Sequence, residues 1–172
     1  MDDRDAVELQ LGRRPRAFLR VAARCPFGSP AVTEEAPYDA AGEPFPTTYY
    51  LTCRHAVAAV SRVEAGGGVE RWSDAVARDT QYAASLAAAT EEQQRIRREL
   101  AGDRRGVDAG ASLALGIGGS RNPGQLKCLH AHVAFALARP GYTLGDAILE
   151  ETQPIWPTGE CCLSSDADRR RQ

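Results

Sequence analysis

Cysteine, histidine and lysine side chains lie close together between residues 118 and 132, in the segment GGSRNPGQLKCLHAH. The segment holds Lys127, the only lysine of the chain, and two of its three histidines. Arginine outnumbers lysine twenty to one, so this single lysine is a candidate for a specific role. We therefore expect ligand binding or catalysis to involve this segment.

A metal site is the first hypothesis. Cys128 and His132 are four residues apart, so on a helix both side chains would project from the same face. Structural zinc takes four protein ligands, and catalytic zinc takes three plus water. Cys25 and Cys53 each end a predicted strand and could complete the site. We predict that Cys25, Cys53, Cys128 and a histidine, either His132 or His130, bind a metal, with zinc preferred.

An anion site is the second hypothesis. The glycine-rich loop leads into the start of a predicted helix, where free N–H groups and the helix dipole favour an anion. A lysine in the first turn opposes that dipole, and a bound phosphate or carboxylate would reverse the cost. Gly118, Gly119, Arg121 and Lys127 are therefore predicted to bind an anionic or phosphorylated small molecule. Neither a Walker loop nor a dinucleotide fingerprint is present.

The same residues also permit a thiol-dependent enzyme. Beside Lys127 and near the positive end of a helix, the thiol of Cys128 would have a lowered pKa and would be a better nucleophile. His130 or His132 would then act as its base. The alternative interpretation of His130 is a hydrogen-bonded side chain at the margin of the core.

The elements that must position these residues predict an α+β fold. The stretches RAFLRVAARC, AVTEEAP and TTYYLTC are typical of strands, and turn residues separate them. They predict a small antiparallel β-meander over about residues 16–53. We expect this sheet to pack against four or five helices.

Helical patterns follow the sheet. Valines on one face predict a helix over 55–64, which the glycines at 66–68 end. Asn122 as a cap predicts a helix over 123–138, and a short helix follows at Thr143. The region 73–100 has a thin apolar stripe, which fits an exposed helix, a broken pair, or an adaptor surface for a protein partner.

Length and composition favour one soluble domain over residues 1–160, followed by a flexible tail over 161–172 that contains Cys161 and Cys162. The chain has 172 residues, and its formal net charge of −2 favours neither nucleic acid nor anionic lipid. It has no apolar run of roughly 18 residues, so no membrane span is expected. Its acidic start differs from a secretory signal, so we expect a cytoplasmic protein with free cysteines.

Several separated segments resemble the bacterial family called domain of unknown function 501. They are RCPFGSP, PFPTTYYLTC, SRVEAGG and GGSRNPGQLKCLHAH, and the resemblance spans roughly residues 11–150. The family pattern corresponds here to Cys25, Cys53, Ser61, Arg62, Glu64, Lys127, Cys128 and His130.

The resemblance implies no particular activity. Where many members have a proline after the LTC of the strand, this chain has Arg54 and then His55, so His55 is not implied as a ligand. Members are often encoded near genes of cell division and polyphosphate metabolism, which implies anionic ligands or protein partners.

Overall fold

The fold, described by a computed structural model for residues 1–122 and 124–164, is α+β, as predicted. These ranges contain one antiparallel sheet of three strands and six α-helices. The strands are β1 (Phe18–Arg24), β2 (Pro30–Glu35) and β3 (Tyr49–Leu51). The helices are α1 (Asp3–Leu11), α2 (Arg54–Ala65), α3 (Gly68–Arg78), α4 (Thr80–Ala101), α5 (Leu129–Ala138) and α6 (Thr143–Glu151).

The sheet is the predicted meander, with strand order β1-β2-β3. Val21 pairs with Thr33, and Val32 pairs with Leu51, which fixes the register on both sides of the central strand. All six residues of β2 are buried, whereas β1 is partly exposed along its length. The middle of the core therefore lies on β2 and β3.

Helix α5 is the central helix of the core. Its sequence LHAHVAFALA is apolar nearly all round, which is typical of a helix that is covered on every side. It packs against α6, β3 and α2. The ring of Phe135 meets the ring of Tyr49 edge to face at 5.5 Å between centroids. This packing holds the first turn of α5 beside α2.

The region 73–100 is a broken pair of helices, one of the predicted alternatives. Asp79 separates α3 from α4, and its side chain accepts hydrogen bonds from the backbone of Gln81 and Tyr82. The apolar positions Leu86 and Ile96 of α4 are buried in the protein's own core. Docking of a partner on the outer face of α4 stays a prediction.

Helix α5 begins at Leu129, so its predicted start at residue 123 is wrong. Asn122 Oδ1 accepts the backbone N–H of Gly124 at 3.2 Å and makes a local turn instead of a helix cap. Cys128 precedes the helix in an extended conformation, with φ −157° and ψ 151°. Cys128 and His132 consequently lack the helical spacing that placed them on one face.

Helix α1 was not predicted, although its start and end follow familiar rules. Asp2 caps it by accepting the N–H of Asp5 at 2.8 Å, and Gly12 ends it at φ 68°. At the other end of the chain, Cys161 and Cys162 are buried, and the predicted tail beyond residue 164 lies outside the described residues. None of the described helices is long and apolar enough to cross a membrane.

Candidate functional site

His130 lies between two side chains of α2. Its Nδ1 atom is 3.1 Å from Glu64 Oε1, and its Nε2 atom is 3.2 Å from Ser61 Oγ. Ser61 and Glu64 are three residues apart on a helix, so both side chains can reach His130 of α5 from the same side of α2. A carboxylate, an imidazole and a hydroxyl are thereby joined in one hydrogen-bonded series.

The position of Glu64 is fixed by the backbone of α5. Its Oε1 atom also accepts the N–H of Leu129 at 2.6 Å, which satisfies a free donor of the first helical turn. A carboxylate on Nδ1 favours the tautomer in which Nδ1 carries the proton and Nε2 accepts one. The carbonyl oxygen of Val57 lies 3.3 Å from Nε2 and can accept a hydrogen bond from Nε2 when this atom carries a proton. Nε2 therefore has a partner both as an acceptor and as a donor.

The imidazole borders a cavity of about 320 Å³ between β3, α2 and α5. Two larger cavities, of about 740 and 680 Å³, have no cysteine or histidine among their lining residues. The smaller cavity is lined by Thr47, Tyr49, Tyr50, Leu51, Val57, Cys128, His130 and Ala131.

Cys128 lines this cavity as a thiol. Burial raises the pKa of Cys128, the Glu64 carboxylate adds to the increase, and together they outweigh the backbone N–H of Ala131 and the charge of Lys127. We predicted a lowered pKa from the helix terminus. The direction is reversed because the thiol is largely enclosed and a carboxylate lies near it.

The glycine-rich loop forms a separate cavity of about 360 Å³. Gly119, Arg121 and Lys127 of the predicted anion site line it, with Ser120, Asn122, Gln125 and Leu126. Gly118 instead packs on α5, where an added Cβ would lie 3.1 Å from the Cβ of Ala131. Lys127 therefore borders the loop cavity, whereas Cys128, His130 and Ala131 border the other cavity.

His132, predicted as a metal ligand, is a core residue with 1% of its surface exposed. Its Nδ1 atom is 2.7 Å from the hydroxyl of Tyr142. Burial lowers the pKa of His132 to about 4, so the ring is neutral near pH 7. Its Nε2 atom is buried without a hydrogen-bond partner among the described residues.

The two other predicted metal ligands pair with cysteines near the end of the described chain. The sulfur of Cys53 lies 3.7 Å from that of Cys162, and Cys25 lies near Cys161, which contributes to raising the pKa of Cys25. Cys53 precedes α2, whereas Cys128 neighbours Glu64 in its last turn. Eleven residues of helix separate these ends, a rise of about 16 Å.

The predicted ligand set is thus spread over several places. Within residues 1–122 and 124–164, no group of three or more histidine, cysteine, aspartate or glutamate side chains could hold a metal ion. Zinc binding by Cys25, Cys53, Cys128 and His132 stays a prediction, which elemental analysis of the purified protein can decide.

Reasoning from residue chemistry alone did not pair Ser61 and Glu64 with His130. The signal was present, since SRVEA and KCLH are both among the segments that carry the family resemblance. A serine and a glutamate at positions i and i+3 of a helix can reach one imidazole. The partner histidine is 69 residues from Ser61, so spacing along the chain did not reveal it.

Comparison with known proteins gives the family but no activity. No curated protein matches the chain, and no solved structure matches it. The model of the family described as Protein of unknown function (DUF501) matches residues 21–150, a span that includes Ser61, Glu64, Cys128 and His130. Because this match covers well over half of the chain, the protein belongs to the DUF501 family.

Proposed function

We propose that the protein is a hydrolase of small esters or related acyl compounds, with Ser61 as the nucleophile. One observation carries the proposal: the imidazole of His130 contacts Ser61 Oγ through Nε2 and Glu64 through Nδ1. A nucleophile within reach of a base, which a third group orients, is the arrangement that activates a hydroxyl. Such a set is recognised by geometry and roles, not by order in the chain.

The proposed reaction begins when Ser61 Oγ attacks the carbonyl carbon of the substrate. The hydroxyl proton passes to Nε2 of His130, and Glu64 stabilises the imidazolium that forms. The imidazolium then donates this proton to the leaving alcohol. Water then gives a proton to the neutral imidazole as its oxygen attacks the acyl carbon. The bond between Ser61 Oγ and the acyl carbon breaks, Oγ takes the proton back from the imidazolium, and the acid leaves.

The surroundings of the three side chains support this role. Ser61 is exposed, so a substrate can reach its hydroxyl. The cavity beside His130 has the volume of a site for a small molecule. Its lining includes the apolar residues Leu51 and Val57 together with Tyr50, which suits an acyl group of modest size.

Hydrolysis of p-nitrophenyl esters, from acetate to octanoate, tests the proposal. The wild-type protein should release an initial burst of nitrophenol equal in concentration to the protein, and Ser61→Ala should abolish the burst. Ser73→Ala, on α3, is the matched control and should behave as wild type. Equal rates for the wild type and Ser61→Ala over the whole series would overturn the proposal.

A second candidate function is binding of a small anion in the loop cavity. The observation that favours it is the convergence of Arg121 and Lys127 on one cavity of about 360 Å³. Titration calorimetry with phosphate and pyrophosphate should detect binding that the double variant Arg121→Gln, Lys127→Gln loses. Arg98→Gln, an exposed change on α4, should retain it. Absence of heat from both anions with the wild-type protein would exclude this function.

A further inference from the structure

A second reactive group lies at the other end of α2, away from His130. Cys53 follows β3, caps α2 and is 1% exposed. The sulfur makes no capping hydrogen bond to the backbone of α2, but at the N-cap position it lies near the positive end of the helix dipole. The fold therefore places this thiol where a negative charge is stabilised.

Cys162 is brought to Cys53 from a position 109 residues further along the chain. The two sulfurs are 3.7 Å apart, and Cys162 is 2% exposed. Gln10 of α1 donates through Nε2 to the sulfur of Cys162 at 3.4 Å and to the carbonyl oxygen of Pro30 at 2.8 Å. Contacts from α1 and the start of β2 thus hold the second sulfur against the first.

The two thiols differ in their tendency to lose a proton. The hydrogen bond with Cys162 lowers the pKa of Cys53 most, the N–H of Ala56 adds to this, and the result is a pKa of about 6 despite burial. The same hydrogen bond and burial raise the pKa of Cys162. Of the two sulfurs, Cys53 is therefore the one that loses its proton more readily.

We propose that Cys53 and Cys162 form a dithiol that a small hydroperoxide oxidises to an intramolecular disulfide. Cys53 is the attacking sulfur, and Cys162 is the resolving sulfur. This chemistry is separate from the ester hydrolysis proposed for Ser61, because it uses different residues at the opposite end of α2.

The reaction balances in two steps. The thiolate of Cys53 attacks one oxygen of hydrogen peroxide, the O–O bond breaks, and Cys53 becomes a sulfenic acid while the released hydroxide takes a proton and leaves as water. Cys162 then attacks the sulfur of the sulfenic acid, the S–O bond breaks, and the departing oxygen leaves as a second water with the proton of Cys162. Two thiols lose two electrons, and one peroxide gains them.

Burial of both sulfurs indicates a small oxidant. At 1% and 2% exposure, neither sulfur offers the surface that a protein disulfide or glutathione disulfide would need for attack. Gln10 is also buried, and its Oε1 atom has no partner among the described residues. Since its Nε2 atom contacts Cys162, this oxygen is a free acceptor beside the pair for the hydroxyl of a peroxide.

Cys25 and Cys161 form an internal comparison. They also lie near each other, but burial raises the pKa of Cys25, so Cys25 loses its proton less readily than Cys53 does. The sulfur of Cys161 additionally lies 3.2 Å from the hydroxyl of Ser29. Cys25 and Cys161 should therefore react with peroxide after Cys53 and Cys162.

Peptide mapping of the reduced wild-type protein after treatment with hydrogen peroxide tests the proposal. Alkylation of remaining thiols followed by mass spectrometry should show a disulfide between Cys53 and Cys162 that dithiothreitol reverses. Cys53 should become protected from alkylation about tenfold sooner than Cys128, which is a protonated thiol. First oxidation at Cys128 or between Cys25 and Cys161, or a Cys53 that stays reduced, would overturn the proposal.

Variants identify the order of the two sulfurs. Cys162→Ser keeps a hydroxyl beside Cys53 but cannot form a disulfide, so oxidation should stop at a sulfenic acid on Cys53. A dimedone reagent present while the oxidised protein is unfolded in urea should capture this acid, and Cys128→Ala should form the disulfide as the wild type does. Capture on any other cysteine of Cys162→Ser would contradict the assignment of Cys53 as the attacking sulfur. The mapping of the wild-type protein decides the question even if a variant fails to fold.

Discussion

Glu64 accepts two hydrogen bonds from α5 with a single oxygen, one from the backbone of Leu129 at 2.6 Å and one from His130 Nδ1 at 3.1 Å. The carboxylate therefore joins α2 to α5 and orients the imidazole at the same time. These two roles can be separated by substitution, because a glutamine oxygen can still accept the backbone N–H but carries no charge.

Glu64→Gln should retain most of the stability and lose most of the proposed activity. We expect the free energy of unfolding to fall by less than about 1 kcal/mol, since the Leu129 contact remains. Ester hydrolysis should fall by roughly two to four orders of magnitude, because the imidazolium loses its carboxylate. Urea unfolding and nitrophenol release measure the two effects.

Glu64→Ala should lose the proposed activity and also be less stable than Glu64→Gln. Its free energy of unfolding should fall by about 1–3 kcal/mol, because the Leu129 N–H loses its acceptor. Glu91→Ala, at an exposed site on α4, is the control and should change stability by less than about 0.5 kcal/mol. Unimpaired hydrolysis in Glu64→Gln would contradict the orienting role of the carboxylate.

His132 should make the protein less stable in acid. Burial lowers its pKa in the folded protein to about 4, below the usual value near 6.5 of an unfolded chain. The unfolded state therefore binds a proton first as the pH falls, and stability is lost between about pH 6.5 and pH 4. The contribution is on the order of 3 kcal/mol over this window.

His132→Gln cannot take up this proton, but its amide can still pair with Tyr142. The loss of unfolding free energy between pH 7 and pH 4 should therefore be smaller in the variant by about 3 kcal/mol, as measured by urea unfolding at each pH. An identical loss in the variant and the wild type would show that His132 does not control acid stability.

Arg97 should be intolerant of lysine. It is 0% exposed, and its Nε and Nη1 atoms donate to the carbonyl oxygens of Ser112 and Phe45. A lysine has one ammonium group and cannot reproduce this forked geometry, so Arg97→Lys should cost about 2–4 kcal/mol of unfolding free energy. The adjacent exposed change Arg98→Lys should cost less than about 0.5 kcal/mol by the same denaturation assay. Equal effects of both changes would disprove the bridging role.

Gly145 should be intolerant of alanine, although alanine normally favours a helix. A Cβ at residue 145 would meet the ring of Tyr142 and would lie 3.0 Å from the Cβ of Ala136 on α5. We expect overpacking to outweigh the helical gain of about 1 kcal/mol and to lower the midpoint of thermal unfolding. Gly66→Ala, which has room at the end of α2, should leave the midpoint nearly unchanged. A higher midpoint for Gly145→Ala would contradict this account of the packing.

Local patterns were sufficient to predict the sheet and most helices. TTYYLTC combines aromatic and β-branched residues, and it forms β3, while the glycines after Ala65 end α2 as expected. The start of α5 was predicted wrongly because a side chain competes with the backbone there. Asn122 makes a short turn to Gly124, so the helix begins only after Cys128.

The tertiary contacts of the site could not be predicted from spacing. Cys53 meets Cys162 across 109 residues, and no local rule chooses that partner over Cys128. The direction of the Cys128 pKa depends on burial and on Glu64, which is 64 residues away in the chain. Ser61, Glu64 and His130 required only that α2 and α5 pack together, a contact that the fold supplies.

Covalent labelling with a fluorophosphonate, mapped by mass spectrometry, is the most direct test of the proposed site. The reagent reacts with a serine whose hydroxyl is activated by an adjacent base. We predict one phosphonyl group on Ser61 in the wild-type protein and none on this residue in His130→Gln. Absence of the adduct from Ser61, or equal labelling of Ser61 in both proteins, would contradict the account.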